Sequence, residues 1–266
     1  MKAYLSFVKL RIAIGLQYRF AAIAGVATQF FWGAMMLMMY NAYYRAGIDT
    51  PMAWHELVSY IWLGQAFLML TRFSFVDSEI HDSIVTGQVS YEFVRPLNIY
   101  YYWYSKLLAS KVASTLLRFA PIIIISIFLP SHYRLMAPAS MEAFILFLVT
   151  LFLGLFLSLG LTMLIYSLMF FTTSSRGIFS IYGVVADFFA GGVIPIPFMP
   201  GVLRTICYAL PFRLIMDLPF RIYVGNISIA EGIESIIIQL VWTLIVILAG
   251  NIIMKNATKK LVVQGG

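Results

Sequence analysis

Long oily intervals separated by short polar ones set the pattern of this chain. The first uncharged run, Phe20 to Tyr44, covers 25 residues. At 1.5 Å per residue that is enough to cross a hydrocarbon core roughly 30 Å thick. Spans are expected at about residues 20–44, 57–76, 106–129, 141–171, 177–195 and 235–254. The second run is uncharged only from Leu57 to Thr71, so it is expected to continue past Arg72 to about Val76, with the arginine stem reaching back to the headgroups. Small residues recur every four positions at Ala21 and Gly25, and again at Gly154, Ser158 and Thr162, a spacing that lets helices approach closely. Tyr40, Tyr43 and Tyr44, and the run Tyr100 to Tyr104, stand where interfacial aromatics stand. Residues 1–19 carry Lys2, Lys9, Arg11 and Arg19, with Leu5, Val8, Ile12 and Leu16 near one helical face. They predict an interfacial helix rather than a cleaved leader, because the charges are spread out and the apolar run behind them is long.

The polar intervals carry the local signals. Asp77, Ser78 and Glu79 place a capping residue and acids at a helix start, Ile80 and Ile84 share a face, and Gly87 is a natural stop. This predicts a short helix over 77–87, its isoleucines offered to a partner. Val89, Tyr91 and Phe93 alternate with polar residues, and Pro96 pushes Arg95 out of helical geometry. After the fifth run, Gly191-Gly-Val-Ile-Pro-Ile-Pro-Phe-Met-Pro200 cannot continue a helix. It reads equally as a gate or as a re-entrant cap. Residues 201–233, cut by Pro211 and Pro219, read as outer half-buried helices, with Arg213, Asp217 and Arg221 at spacing four on a solvated face.

Composition turns these runs into an architecture. The chain of 266 residues is 62% hydrophobic and 11% charged, against about 25% charged in soluble domains. In lipid only helix bundles or closed barrels satisfy the backbone, and long unbroken runs exclude a barrel. The expectation is an all-α integral membrane protein, one transmembrane domain over 1–266 with six spans. Cys207 is the only cysteine, which excludes an intrachain disulfide. Twelve Lys and Arg fall on the side of the termini, among them Arg11, Arg72, Lys106 and Lys111, and five on the other, namely Arg45, Arg134, Arg204, Arg213 and Arg221. The positive-inside rule puts both termini and the 77–105 stretch in the cytoplasm.

Motifs for chemistry are few. No phosphate-binding Gly-rich loop ending in Lys-Ser/Thr occurs, no helical His pair suits a metal, and nothing points to nucleic acid. The chain is expected to be no enzyme, with no cofactor or metal of its own. Arg118 and Asp187 are charges inside predicted spans, about 10 Å and 16 Å deep at 1.5 Å per residue. They read as a structural ion pair between the third and fifth spans, or as groups lining a polar path.

The ordered set Gly87, Arg95-Pro96, Asn98, then Gly191-Gly192, Pro195, Phe198-Met-Pro200, Leu210-Pro-Phe212, Pro219 and Gly225 resembles the membrane permeases of type-2 ABC exporters, in a bacterial six-span branch. The resemblance implies a subunit of a cytoplasmic-membrane machine, with a second permease, identical or homologous, and two separate ATPases carrying Mg-ATP. The 77–87 segment would be the coupling helix, through Asp77, Glu79, Ile80, His81, Asp82, Ile84 and Gly87. The first and fifth spans would border the path, and Gly191, Gly192, Pro195, Phe198 and Pro200 would close its outer mouth. A secondary transporter, with Arg118 and Asp187 coupled to protons, is the alternative. A lipid-directed membrane enzyme is a third, disfavoured by the missing polar cluster.

Overall fold

A computed structural model describes residues 2–73, 76–92, 96–172 and 175–259. Every regular element among them is helical. Helix α1 (Lys2–Gly15) precedes the first long helix, α2 (Arg19–Arg45). Of the predicted face, Val8, Ile12 and Leu16 are half-buried, together with Tyr4, Phe7 and Arg11, while Leu5 is exposed. Gly15 lies so close to the helix Ile99–Ile127, introduced below as α6, that a Cβ there would sit 2.7 Å from Ala113.

The second predicted span departs most from expectation. It forms α3 (Trp54–Ala66) and one further turn, α4 (Leu68–Thr71), joined at Phe67, and Arg72 is extended. The helix thus ends before Arg72 rather than at Val76. The physical reason lies in Lys111, which is fully buried. Its ammonium donates to the carbonyls of Leu70 and Arg72 at 3.1 and 2.8 Å and to Ser158 Oγ at 2.6 Å. A buried cation needs such oxygens, and helix-end carbonyls need donors.

A short helix, α5 (Ser78–Val85), follows, then a 3₁₀ turn over Gln88–Glu92. The next long helix, α6 (Ile99–Ile127), starts seven residues before the predicted boundary at 106, because Asn98 caps it by accepting the Tyr100 and Tyr101 amides. The Tyr100–Tyr104 run is therefore part of the helix, with Tyr100 and Trp103 in its packed core. The centre of the bundle is α7 (Met141–Met169), the most buried of the four helices long and apolar enough to cross a membrane, α2, α6, α7 and α11 (Ile229–Lys259). Its Gly154, Ser158 and Thr162 seam is buried as predicted, Gly154 against the Ile215 backbone. By contrast α11 turns Ile237, Val241, Leu244 and Leu248 outward, a face for lipid. A shorter apolar helix, α8 (Ser175–Phe189), stops six residues short of the predicted end at 195.

The chain then builds a 3₁₀ turn at Ile196–Phe198, α9 (Gly201–Ala209), a second 3₁₀ turn at Phe212–Leu214 and α10 (Asp217–Tyr223). Pro219 is tolerated as the third residue of α10, where its missing N–H has no helical partner to lose. Arg213, Asp217 and Arg221 are not on a solvated face: all three are buried. Arg221 donates to Asp217 Oδ2 at 3.4 Å, to Tyr208 Oη at 2.8 Å and to Asn226 Oδ1 at 2.8 Å. Tyr60 Oη donates to Asp217 Oδ1 at 3.3 Å. The spacing was read correctly and the burial was not, because α7 and α3 cover α10 from far along the chain.

Asp217 is 0% exposed, so removing it takes the carboxylate from the buried guanidinium of Arg221. Asp217→Ala is expected to cost about 3–5 kcal/mol, whereas Asp217→Leu with Arg221→Met recovers more than half of that. Thermal unfolding of the detergent-purified protein measures both.

Candidate functional site

Three elements distant in sequence meet at α5. The Asp77 side chain caps the helix, accepting the Ile80 amide at 3.1 Å, while the Asp77 N–H donates to Tyr166 Oη of α7 at 2.8 Å. Glu79 takes a bidentate pair from Arg11 of α1, at 3.3 and 2.9 Å. Lys106 of α6 reaches the other way, 2.6 Å from Glu79 and 3.1 Å from Asp77. Its side chain is nearly buried, so both acids compensate a charge that would otherwise be costly inside the bundle. The Arg11 guanidinium first, and the Lys106 ammonium second, hold the Glu79 carboxyl down at about 2. A further tie joins α1 to α6, where the Asn98 amide donates to Tyr4 Oη at 3.1 Å.

The clasp divides α5 into two faces. Ile80 is 0% exposed and sits among Tyr100, Trp103 and Tyr166, with Ile84 packed at the edge of that cluster. His81 is buried as well, its Nδ1 3.0 Å from Asp82 Oδ1. The two isoleucines therefore anchor the helix to its own chain instead of presenting it to a partner. What faces outward is Asp82, with its side chain 69% exposed, together with Val85, Thr86 and Gly87. Gly87 has φ +75°, the left-handed stop predicted for it. Of the neighbouring sequence features, Phe93 and Arg95 lie outside the described residues, as do Lys260 and the Arg176 side chain.

A second feature is a cavity of about 660 Å³ bordered by α2, α3, α4, α6 and the turn after α8. Arg118 and Asp187 both line it. They do not form the expected ion pair: among the described residues no contact within 4.0 Å joins them. Arg118 Nη1 points at Met69 Sδ, 3.1 Å away, and Asp187 Oδ1 accepts the Phe73 amide at 3.3 Å. Gly25 serves Arg118 rather than a helix seam, since a Cβ there would come within 2.6 Å of the guanidinium carbon.

One rim of the cavity is the glycine and proline segment. Gly191 has φ +86°, and a Cβ on it would lie 2.8 Å from Tyr60 Oη, so both backbone and space demand glycine. The Gly192 amide closes α8 on the Asp187 carbonyl at 2.9 Å. Gly191, Gly192 and Pro195 line the cavity. Phe198 lies beyond, its ring 5.4 Å from Tyr40 and 6.5 Å from Tyr44 of α2, and Pro200 caps α9. The segment thus bridges α2, α3 and α8. Sequence reasoning missed Arg11, Lys106, Lys111 and Tyr60 as partners in these arrangements. The three cations were read as flanking charges and Tyr60 was not singled out, and no local pattern marks a contact between residues 68 positions apart, as Arg11 and Glu79 are.

Four helices long and apolar enough to cross a membrane, packed beside a cavity lined by Arg72, Arg118 and Asp187, fit a multi-pass membrane protein. The comparison with known families agrees, matching ABC-2 family transporter protein over residues 30–265. The chain belongs to that family, and so is a membrane permease of an ABC-type transporter. Permeases of this family generally work with ATPase subunits. A search of curated proteins finds no match.

Because the folded Glu79 carboxyl lies at about 2, below its ordinary 4.5, its stabilising contribution is complete above pH 4.5 and is lost as pH falls toward 2. Glu79 is largely exposed, so screening keeps the effect modest. Glu79→Gln is expected to lower the melting midpoint at pH 7 by a few degrees, roughly the effect of 1 kcal/mol. It should also flatten the fall in midpoint between pH 4.5 and pH 3. Melting curves across that range check the sign.

Proposed function

We propose that the chain is the membrane-spanning subunit of an ATP-driven exporter in a bacterial cytoplasmic membrane, and that α5 is where a separate ATPase pushes. The observation that carries this is the clasp of Glu79 with Arg11 and Lys106. It fixes a short capped helix to α1 and α6 at once, so a force on its outward face is delivered to two membrane elements. A loosely attached loop would absorb the same force. Asp82 and Val85, exposed at the middle and end of α5, supply the contact face.

Six crossings with cytoplasmic termini fit the helices if α3 with α4 and α8 serve as the two shorter spans. The charge count supports that orientation after burial is considered. Lys106 and Lys111 are buried on the inner side, and Arg213 and Arg221 on the outer, leaving ten against three. In this reading α2 and α8 border the path, the Gly191–Pro200 segment shuts its outer end, and a second permease completes it. ATP hydrolysis belongs to the partner, with Mg-ATP bound there and neither metal nor cofactor on this chain.

Asp82→Arg combined with Val85→Glu changes only outward-facing positions. The variant is expected to melt like the parent, yet to lose co-purification with its ATPase subunit by about tenfold or more, as charge reversal at an interface does. Unchanged co-purification would overturn α5 as the ATPase contact, and transport by the purified chain alone on a proton gradient would overturn the exporter reading in favour of a secondary transporter.

A further inference from the structure

We propose that the cavity binds an amphiphile with an anionic headgroup. Arg118 and Arg72 hold the headgroup, and Trp32 with the thioethers of Met36, Met69 and Met216 hold the apolar body. As a substrate site this rests on the exporter reading; as a binding site it does not.

The argument starts from an unsatisfied cation. A guanidinium offers five donors. Arg118 gives one to a thioether, a weak acceptor, and its Nε is buried without a partner. The charged neighbour whose field reaches it is a second cation, Arg72, which lines the same space. The carboxylate on the opposite wall, Asp187, is held by the Phe73 amide and lies in the field of buried Lys111. The cavity therefore carries an excess of positive charge in an apolar bundle, a costly arrangement unless an anion enters.

The space is kept for that purpose. Gly25 leaves room for the Arg118 guanidinium, and any side chain there would displace it. One turn on, Gln29 is 3% exposed and donates to the Gln65 carbonyl at 3.2 Å, while its Oε1 has no donor. A hydroxyl next to an anionic headgroup would supply one. The remaining wall is apolar and adaptable, since methionines repack around varied shapes. The volume, about 660 Å³, lies in the range of sites for drug-sized molecules. A purely apolar ligand would leave the guanidinium unpaired, and a cationic one would be repelled.

The test uses the purified permease alone in a neutral maltoside detergent, with dodecyl phosphate as ligand and calorimetry as readout. Saturable binding is expected, with dodecyltrimethylammonium and inorganic phosphate both at least about tenfold weaker. Arg118→Gln is expected to weaken dodecyl phosphate by about tenfold or more. Gly25→Leu, which retains the arginine but occupies its place, should do the same, and it covers the case in which Arg118→Gln does not fold. Repeating the titration in phosphatidylcholine nanodiscs, with and without phosphatidylglycerol, identifies the source. Competition marks a membrane lipid and its absence a non-lipid amphiphile, and either outcome supports the anionic site. Equal binding of the cationic surfactant, equal binding of inorganic phosphate, or unchanged affinity in folded variants overturns the inference. No ATPase is present, so such a failure leaves the exporter reading standing, and a failure of the α5 variants leaves this site standing.

Discussion

A cation taken out of water into an apolar bundle must find oxygen, and that constraint organises this protein. Lys106 and Lys111 lie on the same helix, and both are buried. Lys106 takes the carboxylates of Asp77 and Glu79, fixing α5 and through Glu79 also α1. Lys111 takes the carbonyls of Leu70 and Arg72 and the hydroxyl of Ser158. It thereby ends α4 and pins that end to α6 and α7. Both sides of the connection from α4 to α5 are thus tied to one helix by charge, where apolar packing alone would have allowed it to slide.

The opposite end of the molecule solves the same problem with a different device. Asp217 and Arg221 are buried together, and Tyr60, Tyr208 and Asn226 complete their bonds. Arg213 lies over the Tyr208 ring at 4.2 Å. Arg118 is different from the lysines and from Arg221, because the chain gives it a thioether where it gives them oxygen. The cavity that contains Arg118 therefore lies between two braced regions and is less satisfied than either. Places left unsatisfied in an otherwise consistent structure are where function is expected.

Much of the fold could be read from the pattern of apolar runs. The runs at 20–44 and 141–171 became α2 and α7 within a few residues, because nothing inside them competes with the helix. The cap at Asp77 and the stop at Gly87 were legible for the same reason: both are local chemistry. The second span was not, since its end is set by Lys111, some 40 positions away. The orientation of α5 was also hidden. Ile80 and Ile84 predict an apolar face, but sequence alone does not tell whether that face meets the chain's own aromatics or another protein. Arg118 and Asp187 were read as charges inside predicted spans, and both line the cavity. Pairing them assumed that opposite charges at similar depth must meet, and Gly25 and the Phe73 amide each offered one of them another place.

These placements connect the two ends of the proposed machine. Arg72 borders the cavity with its side chain, while its carbonyl is held by Lys111, and a few residues further on Asp77 and Glu79 are held by Lys106. Lys106 and Lys111 are five residues apart on α6, about 7.5 Å along its axis. Displacing α5 inward therefore cannot leave Arg72 where it was unless the chain between them absorbs the motion or one of the buried lysines loses its oxygens. The second outcome carries a desolvation cost of several kcal/mol per ion. For small displacements the lower-energy response is movement of α6 with α5, which carries Arg118 as well. Both arginines of the cavity are thus attached to the element on which the ATPase would act. On the proposed reading, a push on α5 would alter the spacing of the two positive charges that border the cavity.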